Sequence, residues 1–178
     1  MTTEILLAGF GGQGILFAGK QLAKTAMHEG KNVSWLPSYG PEMRGGTANC
    51  NVILSDTPVG SPIITAPDVL IAMNLPSLEK YVDSVVAGGQ IYVDSSLINV
   101  KVERDDVSVF YIPATQMAKD EGISSLANMI IVGHLLENHP ELSFEGIETV
   151  VEKLVPPKKA ALKELNMKAL SLGKNYNK

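Results

Sequence analysis

The segment Gly9-Phe10-Gly11-Gly12-Gln13-Gly14-Ile15 constrains this chain more than any other. The apolar run Ile5-Leu6-Leu7-Ala8 precedes it, and an amphipathic run reaching Met27 follows. A strand, a tight glycine turn and a helix satisfy all three. Such a turn aims backbone N–H groups at a surface by a helix N-terminus, where an anion is stabilised. The helix is expected from Gly14 to about His28, with Leu16, Ala18, Gly19, Leu22, Ala23, Ala26 and Met27 on its apolar stripe. Gly30 is placed to end it in a left-handed cap.

Strands are predicted at Glu4–Gly9, Asn32–Pro37, Thr47–Leu54, Val69–Met73, Gln90–Asp94 and Ser108–Ile112. Further helices are predicted at Leu75–Val82, Thr115–Glu121, Leu126–Asn138, Phe144–Leu154 and Pro157–Leu172. In the third strand Ala48, Cys50, Val52 and Leu54 alternate with Thr47, Asn49, Asn51 and Ile53, so one of its faces is less fully buried. Its expected partner is the segment Val59–Ile64, where Pro62 favours a sheet edge. The fold class is therefore α/β: a three-layer-like sandwich whose mostly parallel sheet carries an antiparallel edge, with a Rossmann-like glycine loop after the first strand. Residues 1–178 read as one domain, with the helix from about residue 157 peripheral.

With 178 residues, 45% of them apolar and 19% charged, the chain is long enough for one full core. A formal charge of −4 argues against nucleic acid, which needs a dense basic face. No run approaches the roughly 18 apolar residues of a membrane span. Met1-Thr2-Thr3-Glu4 lacks the basic start of a signal peptide, so a cytoplasmic location is expected. Cys50 is the sole cysteine, which excludes an internal disulfide, a CxxC zinc site or an iron–sulfur cluster of the chain's own.

A dinucleotide fingerprint needs Gly-x-Gly-x-x-Gly and an acidic residue about 20 positions on. From Gly9, the last glycine arrives one residue early, and Ser34-Trp35-Leu36-Pro37-Ser38 supplies no acid. The loop Gly11-Gly12-Gln13-Gly14 remains a candidate binding surface, with the Gln13 amide free to meet a phosphate, a carbonyl or a neighbouring chain. The second candidate is Ser38-Tyr39-Gly40-Pro41-Glu42-Met43-Arg44-Gly45-Gly46. Gly40-Pro41 and Gly45-Gly46 are turn signals. Arg44 offers a rigid donor fork to a carboxylate or phosphate, and Glu42 could steady it. Both loops follow strands expected to be parallel neighbours, so they should converge at the carboxyl edge of the sheet. Asn74 and the run Asp94-Ser95-Ser96 point to the same edge, but caps explain them well, and Thr115 and Asn128 would either face a ligand or a partner or serve as a cap and a polar helix residue. His28, His134 and His139 read as surface or helix-flank residues. No complete catalytic set appears, which suits a chain that binds or supports. A stand-alone NAD- or FAD-binding oxidoreductase and a ligand-free structural or regulatory module stay open as alternatives.

The two glycine-rich motifs together resemble the gamma subunits of 2-oxoacid:ferredoxin oxidoreductases, over residues 4 to about 155, and the 2-oxoglutarate branch slightly more than the pyruvate one. The resemblance implies oxidative decarboxylation of a 2-oxoacid onto coenzyme A, with electrons passed to ferredoxin. It implies that this chain holds no cofactor. Thiamine diphosphate, Mg and the iron–sulfur clusters would sit in partner subunits, and the isolated chain, open to self-association, would be inactive. By the same resemblance Gly11, Gly12, Gln13, Gly14, Ser38, Tyr39, Gly40, Pro41, Glu42, Arg44, Gly45, Gly46 and Asn128 would face a partner subunit or the coenzyme A path.

Overall fold

The computed structural model describes residues 1–38, 47–154 and 160–177. Its element order is β1 (Thr2–Phe10), α1 (Ile15–His28), β2 (Asn32–Ser38), β3 (Thr47–Ser55), β4 (Val69–Ala72), α2 (Leu75–Tyr81), β5 (Gln90–Asp94), β6 (Ser108–Ile112), α3 (Ala114–Asp120), α4 (Ala127–Leu136), α5 (Phe144–Leu154) and α6 (Ala160–Lys174). The six strands form one sheet in the order β2-β3-β1-β4-β5-β6. β1, β4, β5 and β6 pair in parallel. β3 runs antiparallel to both of its neighbours, β1 and β2.

Three expectations change here. Val59–Ile64 forms no strand; β2 takes its place beside β3. β1 and β2 point the same way but are not neighbours, because β3 lies between them. The helix α1 carries the chain from the end of β1 back across the sheet, and one strand-width is left for β3 to fill. Met27 departs from the expected apolar stripe of α1 and is 61% exposed.

Helices cover both faces of the sheet. Ile5, Leu7, Cys50, Val52, Leu54, Ile71 and Tyr92 join α1, α3, α4, α5 and α6 in one apolar cluster. Leu6, Leu70, Ala72, Ile91 and Val93 join Leu78 and Val85 in a second, smaller one. The alternation of side chains along a strand divides β1, β4 and β5 between the two.

α6 lies outermost on the first face, yet it is held tightly. A Cβ at Gly133 of α4 would fall on the Leu170 carbonyl, and one at Gly173 of α6 would fall on that of Ile130. The two backbones therefore touch, and Ala169 and Leu170 are fully buried. His134 adds a 3.2 Å bond from Nδ1 to the Gly173 carbonyl, and its ring meets Tyr92, Phe110 and Tyr176 edge-on.

His139 is not a surface residue: it is 7% exposed. Its Nδ1 lies 2.9 Å from Glu141 Oε1 and its Nε2 3.0 Å from Gln90 Oε1, and that Gln90 oxygen accepts from the Tyr92 hydroxyl. Thr3 Oγ1 donates to the same Glu141 oxygen. The α4–α5 connection is thereby tied to the amino-terminal edge of the sheet. Among the described residues no helix is long and apolar enough to cross a membrane.

Candidate functional site

β1 is buried along its middle and emerges at Phe10, which is 40% exposed. The chain then turns through Gly11 and Gly12 to Gly14, the residue before α1. Gly12 has φ +95° and Gly14 φ +73°, a left-handed conformation that side chains disfavour. The Gly14 carbonyl accepts from Ala18 N at 2.9 Å and from Asn128 Nδ2 at 3.0 Å. A Cβ at Gly14 would stand 2.5 Å from that Asn128 nitrogen. Asn128 is thus brought to the turn, where it secures the entry to α1.

Gln13 faces inward along both halves of its amide. Its Oε1 accepts from Phe10 N at 2.6 Å, and its Nε2 donates to the Met73 carbonyl at 2.9 Å. Its backbone N–H donates to the Phe10 carbonyl at 3.2 Å. The side chain staples the turn to the end of β4 and reaches a carbonyl of its own chain. Gly9 is needed for this fold-back, since a Cβ there would lie 2.6 Å from Gln13 Oε1. The spacing that looks like a broken nucleotide fingerprint has this internal cause.

The surface of the turn is apolar with backbone donors beneath it. α1 has no side-chain cap and no acidic residue in its first turn. The N–H groups of Ile15, Leu16 and Phe17 precede the first intrahelical bond, as at any helix start. Beside them a cavity of about 250 Å³ is lined by Phe10, Gly11, Gly12, Leu16, Phe17 and Ala48. Phe17 is 38% exposed. Neither phenylalanine stands among the candidate residues that the sequence alone suggests. The signal was present in Phe17, which lies off the apolar stripe of α1 on a helix that already has a complete one.

Of the second motif, Ser38 is exposed at the end of β2, in register with Asn49. Tyr39, Gly40, Pro41, Glu42, Arg44, Gly45 and Gly46 lie outside the described residues, as does the expected Glu42–Arg44 pair. The flanks are informative by themselves. Thr47 pairs with Phe10, the last residue of β1. Both ends of the segment therefore reach the rim where the glycine turn sits.

The other polar residues on this rim serve as caps. Asn74 Oδ1 accepts from Ser77 N at 2.8 Å. Asp94 is fully buried and accepts from Ser96 N at 3.1 Å, Thr115 N at 3.3 Å and Thr115 Oγ1 at 2.5 Å. Cys50 lies on the buried face of β3 with Sγ 3.6 Å from the Ile15 carbonyl, and burial pushes its thiol up to about 12. A thiol so placed is a packing group that resists ionisation and does not fit a cluster ligand. Among the described residues no three His, Cys, Asp or Glu side chains gather as a metal site.

The sequence profile of the family described as pyruvate ferredoxin/flavodoxin oxidoreductase matches residues 4–176. The 2-oxoglutarate synthase subunit KorC of Methanothermobacter marburgensis is 36% identical over 181 residues, covering 98% of this chain and 96% of KorC. The ketoisovalerate oxidoreductase subunit VorA of Methanothermobacter thermautotrophicus is 42% identical over 133 residues, which are 75% of this chain but 28% of VorA. Among solved structures, a keto/oxoacid ferredoxin oxidoreductase gamma subunit from Geobacter sulfurreducens superposes with a TM-score of 0.82 at 33% identity, covering 96% of this chain and 95% of that one. The 2-oxoglutarate:ferredoxin oxidoreductase of Magnetococcus marinus, with 2-oxoglutarate, coenzyme A and succinyl-CoA bound, gives 0.87 at 25% identity, covering 97% of this chain and 30% of that one. The chain thus spans less than a third of some relatives and nearly all of others.

Proposed function

The chain belongs to the pyruvate ferredoxin/flavodoxin oxidoreductase family, and from that premise we propose that it is the gamma subunit of a 2-oxoacid:ferredoxin oxidoreductase complex. The observation that carries this reading is the end-to-end match with KorC, in which each chain covers nearly the whole of the other. The complex would decarboxylate a 2-oxoacid oxidatively onto coenzyme A and pass the electrons to ferredoxin. 2-Oxoglutarate is the proposed oxoacid, because the relatives that match along their whole length at 35% identity or more carry that name, whereas the indolepyruvate relative of similar coverage is 29% identical and the ketoisovalerate relative is matched over 28% of its length. Thiamine diphosphate, Mg and the iron–sulfur clusters would be held by other subunits.

The role of this chain is to support the assembly through the rim that carries the glycine turn. Apolar walls at Phe10 and Phe17 around open N–H groups suit an apolar side chain of a partner with an adjacent carbonyl or carboxylate. They suit a bare phosphate less well. Arg44, steadied by Glu42, would add a charge-assisted bond to a partner carboxylate or to an anionic ligand on the coenzyme A path.

The test is Arg44→Ala in the co-expressed complex. Its circular dichroism should match the parent chain, while complex recovery or coenzyme A-dependent ferredoxin reduction falls about tenfold or more, the scale of one lost charge-assisted contact. Undiminished assembly together with undiminished turnover removes the rim from the proposal. Faster turnover of pyruvate or 3-methyl-2-oxobutanoate than of 2-oxoglutarate reassigns the substrate.

A further inference from the structure

β3 is an interior strand, paired along both edges, yet every second residue facing α2 near its middle is an asparagine. Asparagine is depleted in strands, and an interior strand is where it is least expected. Asn49 and Asn51 are half-buried, and the cover over them is incomplete. A cavity of about 350 Å³ stands above the pair, within the range of small-ligand pockets. Leu6 forms part of its floor, and Ile64, Thr65, Tyr81 and Ser84 its walls.

The polar groups facing this space are only partly used. Asn49 Nδ2 donates to the Tyr81 hydroxyl at 3.2 Å, and Asn51 Nδ2 reaches the Pro62 carbonyl at a loose 3.5 Å. Among the described residues no donor reaches the side-chain oxygen of either asparagine, and no acceptor takes the Tyr81 hydroxyl proton. The cavity therefore offers acceptors and a donor side by side. None of its lining residues carries a charge. A carboxylate or ammonium entering it would lose hydration with no opposite charge to replace it. A carboxamide or peptide unit, with one N–H and one C=O, fits the same groups at no such cost.

We infer that this cavity is a binding site for an uncharged, amide-bearing small ligand, held by Asn49, Asn51 and Tyr81. The site is separate from the glycine turn and does not depend on the assembly proposed above. The alternation of β3 is plain in the sequence, but a use for its polar half is not. The structure supplies one: a cavity stands above these two side chains.

The test is a titration of the full, isotope-labelled chain with N-acetylglycinamide, followed through the side-chain amides of Asn49 and Asn51 and the ring of Tyr81. Saturable shifts at these groups are expected, with N-acetylglycine, which has a similar size but bears a carboxylate, binding about tenfold more weakly or worse. Asn51→Val should keep or raise the melting temperature, since valine favours strands, while the saturable response is lost. Shifts that stay linear to the solubility limit, a carboxylate that binds as well as the amide, or an Asn51→Val chain that melts several degrees lower would each overturn the assignment.

Discussion

Gln13 shows how much a single side chain can do once a turn is built around it. It closes the Phe10 N–H and the Met73 carbonyl at once, joining β1 to β4 at the rim. Gln13→Ala removes both bonds and should destabilise the chain by about 1–2 kcal/mol, measured by urea denaturation. Glu141 gives a pH signature. The hydrogen bond from His139 outweighs the opposing effect of burial and holds this carboxyl below the ordinary 4.5. A depressed folded-state value adds stability that is present above the ordinary carboxylate range and lost as the pH falls through the folded value. The melting temperature of the parent should therefore exceed that of Glu141→Gln at neutral pH, by the equivalent of about 1–2 kcal/mol, and the gap should narrow and close as the pH falls below the ordinary carboxylate range. Glu4 works in the opposite sense: burial, then the Asp68 charge, raises its carboxyl, so acid relieves a cost there. These roles were only half legible in the sequence: Gln13 to Phe10 and His139 to Glu141 are close along the chain, but Gln13 and His139 each also need a distant partner. Gln13 meets Met73, and His139 meets Gln90. A polar residue's spacing to its sequence neighbours says nothing about such contacts.

At the scale of elements the chain is far more legible. Gln90–Asp94, Ser108–Ile112 and Phe144–Leu154 are found where apolar periodicity and turn residues put them, and α1 differs by one residue at its start. What periodicity leaves open is which elements meet. Ala48, Cys50, Val52 and Leu54 establish that β3 has a buried face, but alternation is the same whether its neighbour is β2 or Val59–Ile64. The α4–α6 contact was equally out of reach. Gly133 reads as a weak point in an apolar helix until Gly173 is seen against it. Because the obstruction is backbone on both sides, no side chain can move aside. Gly133→Ala and Gly173→Ala should each cost about 1–3 kcal/mol, and the double variant less than their sum, since the first methyl already parts the helices. Denaturant midpoints of the three variants check this.

Across the whole molecule, one sheet serves two cores. β1, β4 and β5 send alternate side chains into each cluster, so neither can melt while the other keeps its strands. Thermal unfolding should accordingly follow a single transition, with far- and near-ultraviolet circular dichroism falling together. Two separated steps would mean that the helical layers come apart independently. The candidate site was legible at this scale in one respect, since the two motifs could be assigned to one rim from strand direction alone. The route was wrong in detail, because β3 and not direct pairing brings Ser38 and Phe10 near each other. Of the rim's surface chemistry, Phe17 was legible from its place off the apolar stripe of α1, whereas the exposure of Phe10 at a strand end is decided only by the fold.

The ladder that joins Ser38 to Asn49 and Thr47 to Phe10 has a consequence for how this protein can diversify. Both ends of residues 39–46 are anchored by main-chain pairing that is indifferent to what lies between them. Under the function proposed above, residues 39–46 from another family member, grafted between the same two anchors, should carry their recognition preferences with them and leave the melting temperature of the host chain unchanged.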